Sequence, residues 1–347
     1  MPTYNFLRDT TVILGLVNQS TGVMGPTGVG SVSFYHLPIS SEVSFSQTFA
    51  EESVKVRTLQ ENAAFLERSK IRKVNPGNFS FTLPIYKTSV GSVGISNAQQ
   101  EVLNLLLTGQ AFDLYVSTAS TQTILKFAVF TQGEFLLERA EQLRLRLSGT
   151  FSKQETSLNA QSSGVTPGTS YVSTEASNAS LSTNYSSPSL SGMLNSAVPI
   201  PSRINTATLN LNQNLSSSVV SVTAEYSNSV TWLKNQTTQT GVAGGAVYPS
   251  GYYISGKKIG GSITLYDTEN SFSGSSQTTD GLQFSESAPL TLKLGTVLDS
   301  SFRGFTFNFS TCSFTNRVNV GPAFTKSYEY RSTDNSTALS SQITLTS

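Results

Sequence analysis

The stretch FDLYVSTASTQTILKFAVF, residues 112–130, alternates apolar and polar side chains on both sides of a short polar turn. This period of two predicts a pair of antiparallel strands, each with one buried face. A second stretch, LTLKLGTVLDSSFRGFTFN at residues 290–308, has the same pattern. At one constant offset, four apolar residues of the first stretch fall on four of the second: Leu114 on Leu292, Ile124 on Phe302, Phe127 on Phe305 and Val129 on Phe307. The chain is therefore predicted to contain one β-unit twice.

Three further blocks repeat in the same order on either side of these stretches. They are EVSFSQT (42–48) with TLNLNQN (208–214), FTLPIY (81–86) with ITLYDT (263–268), and QLRLRLSGTF (142–151) with FTKSYEYRST (324–333). Two unrelated β-rich segments would show part of this agreement. Order, spacing and alternation agree together, and this favours a duplication over chance.

The composition supports a mainly β protein. Only 12% of the 347 residues are charged, while 20 Phe and 13 Tyr accompany abundant Ser, Thr and Asn, the residues of strands and turns. We predict two tandem β-sandwich or barrel domains. The first domain, with an N-terminal arm, covers residues 1–153, a Ser/Thr-rich linker or surface loop covers 154–202, and the second domain covers 203–347.

One helix is predicted, at SNAQQEVLNLLLTGQ, residues 96–110. Ser96 is placed to cap it, with Gln99 three residues later to complete a capping box. Gly109 is placed to end it. The predicted buried stripe consists of Val102, Leu103, Leu106 and Leu107. The corresponding place in the second half is polar and irregular, so the helix flanks the first domain only.

Between two strands of the first half, residues 51–73 gather an unusual share of the chain's charge. Alternation at both ends predicts a long β-hairpin arm with its tip near residues 61–65. One interpretation is a solvated hairpin or a short amphipathic helix. The other is an arm that docks on a neighbouring copy, since exposed Phe65 and Leu66 need a partner and mixed charges select one. The predicted contact residues are Glu51, Glu52, Lys55, Arg57, Glu61, Phe65, Leu66, Glu67, Arg68, Lys70, Arg72 and Lys73.

The sequence offers little for catalysis or for a bound cofactor. His36, the one histidine, has no nucleophile or acid partner nearby in sequence, and Cys312, the one cysteine, lies in a strand pattern. Asp267, Glu269, Asp280 and Asp334 lack the spacing of a calcium site. We therefore predict no enzymatic activity, no cofactor and no metal. A net charge of +1 gives no general attraction to nucleic acid or to anionic membranes.

The apolar runs are too short for a transmembrane helix, and the N-terminus lacks the basic start and long apolar core of a signal peptide. The expectation is a chain that is made and used without secretory export, with no insertion into a membrane.

The combination of a small β-sandwich or barrel, one flanking helix and a long charged loop between early strands resembles the tail tube proteins of long-tailed bacteriophages. These are related to the tube proteins of contractile injection systems. The residues that carry the resemblance are EVSFSQTFAEESVKVRTLQENAAFLERSKIRKVNPGNFSFTLPIY (42–86), the helix, and the strands of residues 112–151. The resemblance covers residues 35–152 well and 203–332 more weakly.

In that family six units form a ring, their inner sheets join around a channel, and the long loop reaches the adjacent ring. A duplicated chain then implies homotrimeric rings with pseudo-sixfold symmetry, stacked into a tube in the virion and assembled in the host cytoplasm. Implied partners are other copies, a tape measure protein, a terminator and possibly a sheath. Viral DNA would pass through the lumen without specific binding. The second half departs from the family by lacking the charged arm, and residues 228–261 would form a different one.

Three alternatives stay open from the sequence. A tail tip, hub or terminator protein would form a single ring instead of a polymer. A Ser/Thr-rich adhesin or capsid-decoration protein would be a binding module of another class. An enzyme would depend on His36 and is the weakest alternative.

Overall fold

The computed structural model describes residues 11–16, 34–40, 42–56, 66–88, 93–117, 121–137, 141–158, 197–209, 213–214, 219–233, 248–249, 251–266, 288–319, 325–335 and 337–347. Over these ranges the chain is mainly β, as its composition predicts, and the pairing of its strands is antiparallel.

The first half contains eleven strands and one long helix in the described residues. They are β1 (Thr11–Leu16), β2 (Phe34–Leu37), β3 (Ser44–Ser46), β4 (Phe49–Val56), β5 (Leu66–Val74), β6 (Gly77–Pro84), β7 (Tyr86–Thr88), α1 (Val93–Thr108), β8 (Phe112–Ser117), β9 (Thr121–Leu136), β10 (Arg144–Phe151) and β11 (Lys153–Leu158).

The second half contains nine described strands and one short helix. They are β12 (Ala197–Pro199), β13 (Ile204–Leu209), β14 (Gln213–Asn214), β15 (Val219–Trp232), β16 (Tyr252–Tyr266), β17 (Ala288–Leu298), β18 (Ser301–Asn319), β19 (Thr325–Ser332), α2 (Leu339–Gln342) and β20 (Ile343–Thr346).

The strands of the two halves follow the same order. In the first half β3, β6, β10, β9, β8, β1 and β2 are successive neighbours, and in the second half β15, β16, β19, β18, β17, β13 and β14 are. β11 pairs with the first part of β9, and β20 likewise pairs with the first part of β18. Eight strands of one half therefore have a counterpart at the same place in the other half.

Three of the four repeated sequence blocks agree with this order, and one does not. β6 corresponds to β16, β8 and β9 to β17 and β18, and β10 to β19. The sequence matches the block at 42–48 to the block at 208–214, and the structure contradicts this match. β3 pairs with β6, whereas β13 pairs with β17, which is the counterpart of β8. The counterpart of β3 is β15. The wrong match arose because short alternating strands resemble one another whatever their neighbours.

A single hydrophobic core runs through both halves. In the first half it includes Phe79, Phe112 and Phe130, with the last two ring centroids 4.5 Å apart. Phe135 of β9 packs edge-on against Phe305 and Phe307 of β18, at centroid distances of 4.7 and 4.8 Å. Because these aromatic contacts cross from one half to the other, the halves are packed together and not merely tethered.

Helix α1 is present, but it begins earlier than predicted. It starts at Val93, so Ser96 lies inside the helix and the predicted capping box is wrong. The predicted stripe is confirmed, since Val102, Leu103, Leu106 and Leu107 are all buried. Gly109, with a φ of +71°, ends the helix as predicted.

The range predicted as a linker, 154–202, contains structure at both ends. β11 extends to Leu158 and pairs with β9, and β12 pairs with β7 of the first half. Residues 159–196 lie outside the described part of the chain.

Candidate functional site: the junction, the polar face and the free edges of one sheet

The two halves are joined by direct pairing of β9 with β15. Phe135 pairs with Ala224, Glu134 with Glu225, Gly133 with Tyr226 and Gln132 with Ser227. The sheet therefore continues without a break from β3 in the first half to β14 in the second. The backbone groups at the edge of one half are satisfied by the edge of the other.

Two buried side chains of β15 bind the C-terminal end of α1. The Asn228 amide nitrogen donates to the carbonyls of Leu106 and Phe130, each at 3.0 Å. The Tyr226 hydroxyl donates to the backbone carbonyl of Leu107 at 3.0 Å and lies 2.8 Å from Oδ1 of the Asn228 side chain. Burial raises the pKa of Tyr226 above its usual range, so this phenol stays a donor. A helix of one half thus has its last carbonyls satisfied by the other half.

β16 supplies the remaining partners of this helix end. The Lys257 ammonium donates to the Leu107 carbonyl at 2.7 Å and to the Thr108 carbonyl at 3.0 Å. The Tyr252 hydroxyl donates to the Gly109 carbonyl at 2.8 Å. A cation at this position is favourable because the C-terminus of a helix carries a partial negative charge. Partial burial lowers the pKa of Lys257, which opposes that benefit in part.

The far end of the β15–β16 hairpin lies over the first half. Trp232 and Tyr252 pack on the ring of Phe127, with centroid distances of 6.2 and 5.6 Å. The Trp232 indole nitrogen donates to the Thr150 hydroxyl at 3.0 Å. In the connection between the strands, the Pro249 carbonyl accepts from the Ser152 hydroxyl. We call residues 228–232, 248–249 and 251–257 the clasp, since they hold the second half on the first.

One face of the continuous sheet is polar across both halves. The row that crosses the junction consists, strand by strand, of Thr82, Arg146, Glu134, Glu225, Gly260, Arg331 and Ser313. Arg146 forms an ion pair with Glu134 at 2.9 Å. The next row is formed by Ser44, Ser80, Ser148, Gln132, Ser227 and Lys258. Seven of these thirteen residues carry a hydroxyl or an amide, and five are charged, with Arg146, Arg331 and Lys258 positive and Glu134 and Glu225 negative.

A shallow groove of about 400 Å³ lies on this sheet beside β3. It is lined by Ser44, Phe45, Ser46, Asn78, Phe79, Ser80, Thr131, Ser148 and Gly149. Its polar lining contains no carboxylate, histidine or cysteine, so it offers no acid, base or nucleophile beyond hydroxyls.

Within the described residues, the sheet has an unpaired edge in each half. Among the described strands, β3 pairs with β6 alone, on one side. In β18, residues 313–319 pair with β19 on one side, while the ladder to β17 ends at Cys312. By the shared strand order, these two edges are the counterparts of β15 and β9, the edges that pair with each other inside the chain.

The predicted charged arm is a hairpin of its own, formed by β4 and β5. Its backbone register sets Glu51 opposite Arg72 and Lys55 opposite Glu67. Directly opposite charges of unlike sign favour the hairpin itself, a role that the sequence pattern did not reveal. Glu52, Leu66, Arg68, Lys70 and Lys73 also lie on these strands, while Arg57, Glu61 and Phe65 lie outside the described residues.

The two residues considered for catalysis both lie in strands. His36 is buried in β2, and burial lowers its pKa to about 4, which keeps the imidazole neutral near pH 7. Cys312 is fully buried in β18, and burial raises its pKa to about 12, which suppresses the nucleophilic thiolate. Within the described ranges, no three His, Cys, Asp or Glu residues are grouped so that they could hold a metal ion.

The chain matches no protein-family model, and a search of curated proteins finds no significant relative. In the part of the chain that is described, no helix has the length and apolar character needed to cross a membrane.

Proposed function

We propose that the chain is a structural virion protein that self-assembles into the tail tube of a bacteriophage. The observation that carries this proposal is the β9–β15 junction. One copy of a repeated unit pairs edge to edge with the next, and among the described strands an equivalent pair of edges has no partner, at β3 and at residues 313–319 of β18. A heterologous contact of this kind closes into a ring when its rotation permits.

The ring we propose contains three chains and six repeated units. Each chain contributes one junction within itself, and each pair of neighbouring chains contributes one junction between β3 and β18. The six junctions are pseudo-equivalent, because the halves share strand order but differ in sequence. Stacked rings then form the tube.

The polar face of the sheet is suited to line the channel. A lumen that carries DNA without holding it must avoid a dense basic surface, since Lys and Arg contacts to phosphates dominate DNA affinity. Of the thirteen residues in the two rows, seven carry hydroxyls or amides and the five charged ones sum to only +1, with Arg146 in an ion pair with Glu134. The opposite face of the sheet contributes its apolar side chains to the hydrophobic core, which also contains the buried residues of α1.

Negative-stain electron microscopy of the purified chain at increasing concentration tests this function. We expect tubes with a regular axial repeat. Discrete rings that never stack would instead support the single-ring terminator or hub. A monomer that binds glycans or capsids without assembling would support the adhesin or decoration protein.

A further inference from the structure

The two halves carry equivalent hairpins, and the clasp is the one whose contacts with the other half the structure describes. The clasp is the far end of β15–β16, and it lies on the first half. The arm β4–β5 continues β3 and β6 in the same way, since β3 and β6 are the counterparts of β15 and β16. Among the described strands, β4 and β5 pair only with each other.

The base of the arm is fixed to the body of the first half. The Asn75 amide donates to the Thr48 carbonyl at 3.0 Å, so the ladder continues from the β3–β6 pair into the arm. The Gln47 side chain donates to the Ser152 carbonyl at 2.7 Å and accepts from the Gln154 amide at 3.0 Å. These hydrogen bonds fix the direction in which the arm extends from the first half.

From this repeat we infer that the arm β4–β5 lies on the second half of the neighbouring chain in the same ring. It takes the place that the clasp takes on the first half of its own chain. The contact is thus lateral, within a ring, whereas the family resemblance implied a contact with the adjacent ring. This inference rests on the proposed ring assembly and specifies one contact in it.

The strand correspondence also identifies the surface that receives the arm. The clasp contacts Phe127 of β9, Thr150 of β10 and Ser152 just after β10. In the second half, the counterpart of Phe127 lies in residues 308–311 of β18, between the part that pairs with β20 and the part that pairs with β19. The counterpart of Thr150 and Ser152 is the end of β19, at Ser332 and the residues that follow it.

The receiving surface presents hydroxyls and a carboxylate, whereas the surface under the clasp adds the ring of Phe127 to the hydroxyls of Thr150 and Ser152. Ser310 is exposed and donates to the carboxylate of Asp334, which also accepts from the Thr337 amide at 3.1 Å. An arm rich in Lys, Arg and Glu fits hydroxyls and a carboxylate, while the Trp232 and Tyr252 of the clasp fit the ring of Phe127. The unlike composition of the two hairpins therefore follows from the unlike surfaces they meet.

Cross-linking of assembled tubes distinguishes a lateral contact from an axial one. In a Cys312→Ala background, we would combine Ser53→Cys in the arm with Ser332→Cys on the receiving surface and treat the tubes with a short bismaleimide. Every chain carries both cysteines. A lateral contact closes within the ring, so denaturing gels should show products that stop at three chains. Products that extend as a ladder beyond three chains would overturn the inference, because they require links between rings.

Two control pairs complete the experiment. Ser53→Cys with Ser301→Cys places the second cysteine at the exposed opposite end of β18, where we expect at least a tenfold lower yield. Ser46→Cys with Ser313→Cys, and the neighbouring antiparallel pair Ser44→Cys with Thr315→Cys, report the β3–β18 junction. If these junction pairs cross-link and the arm pair does not, the position of the arm is wrong and ring closure stands. If neither junction pair cross-links, both the proposed ring and the position of the arm are wrong.

Discussion

At the residue scale, Asn228 is the side chain that most directly joins the halves. Its amide satisfies carbonyls of both α1 and β9, and it is buried. Asn228→Ala leaves those two carbonyls without these donors, at a cost of about 2–4 kcal/mol in the free energy of unfolding. Chemical denaturation monitored by the fluorescence of Trp232, the only tryptophan, measures this loss.

A matched control for this substitution is Asn205→Ala. Asn205 is exposed on β13, so we expect a change within about 0.5 kcal/mol. Equal effects of the two substitutions would contradict the role given to Asn228.

His36 gives a residue-scale prediction about pH. Burial lowers its pKa from 6.5 to about 4, so between these values the unfolded chain binds a proton that the folded chain does not. Its contribution is fully favourable above pH 6.5 and is lost as the pH falls toward 4, by about 3 kcal/mol in the free energy of unfolding. His36→Gln should show a smaller loss of stability between pH 7 and pH 4. If the free energy of unfolding falls equally with pH in both proteins, burial of His36 does not control its protonation.

At the element scale, the arm β4–β5 is predicted to serve assembly and not folding. It forms a two-stranded sheet apart from the main one. Replacing residues 50–73 by a short turn should leave the circular dichroism and thermal unfolding of the subunit nearly unchanged while tube formation is lost. Tubes of normal length after this deletion would show that assembly does not need the arm.

How far the sequence predicts these elements depends on whether a contact is local. The buried face of α1 and its end at Gly109 follow from residue spacing and were predicted correctly. The start of the helix was not, because Ser96 has the side chain of a cap but lies within a helix that begins at Val93. The partners of the helix end, Asn228 and Lys257, are more than a hundred residues away, and no local pattern points to them.

The pairing of strands from the two halves could not be predicted from the sequence either. The pairing of β9 with β15 depends on which edges remain after each half has folded, and alternation alone cannot identify edges. The charges of the arm were predicted as a contact surface. Their backbone register adds that unlike charges also lie opposite one another inside the hairpin.

At the scale of the whole molecule, the open edges are predicted to drive assembly. Ser44 and Ser46 are exposed on β3, and lysines on an edge strand disfavour pairing with another strand. The double substitution Ser44→Lys and Ser46→Lys should leave a folded monomer that sediments as one chain. Ser301→Lys, at the exposed turn between β17 and β18, adds a like charge away from the edge and should assemble normally. Equal assembly of both variants would exclude β3 as an interface.

The central claim, ring closure by a second junction like β9–β15, is tested most directly by cryo-electron microscopy of the assembled wild-type chain. We expect stacked rings with threefold symmetry, six repeated units per ring, and β3 of each chain paired with residues 313–319 of β18 in the next. Rings in which β3 and this part of β18 remain unpaired, or particles that stay monomeric at high concentration, would contradict it.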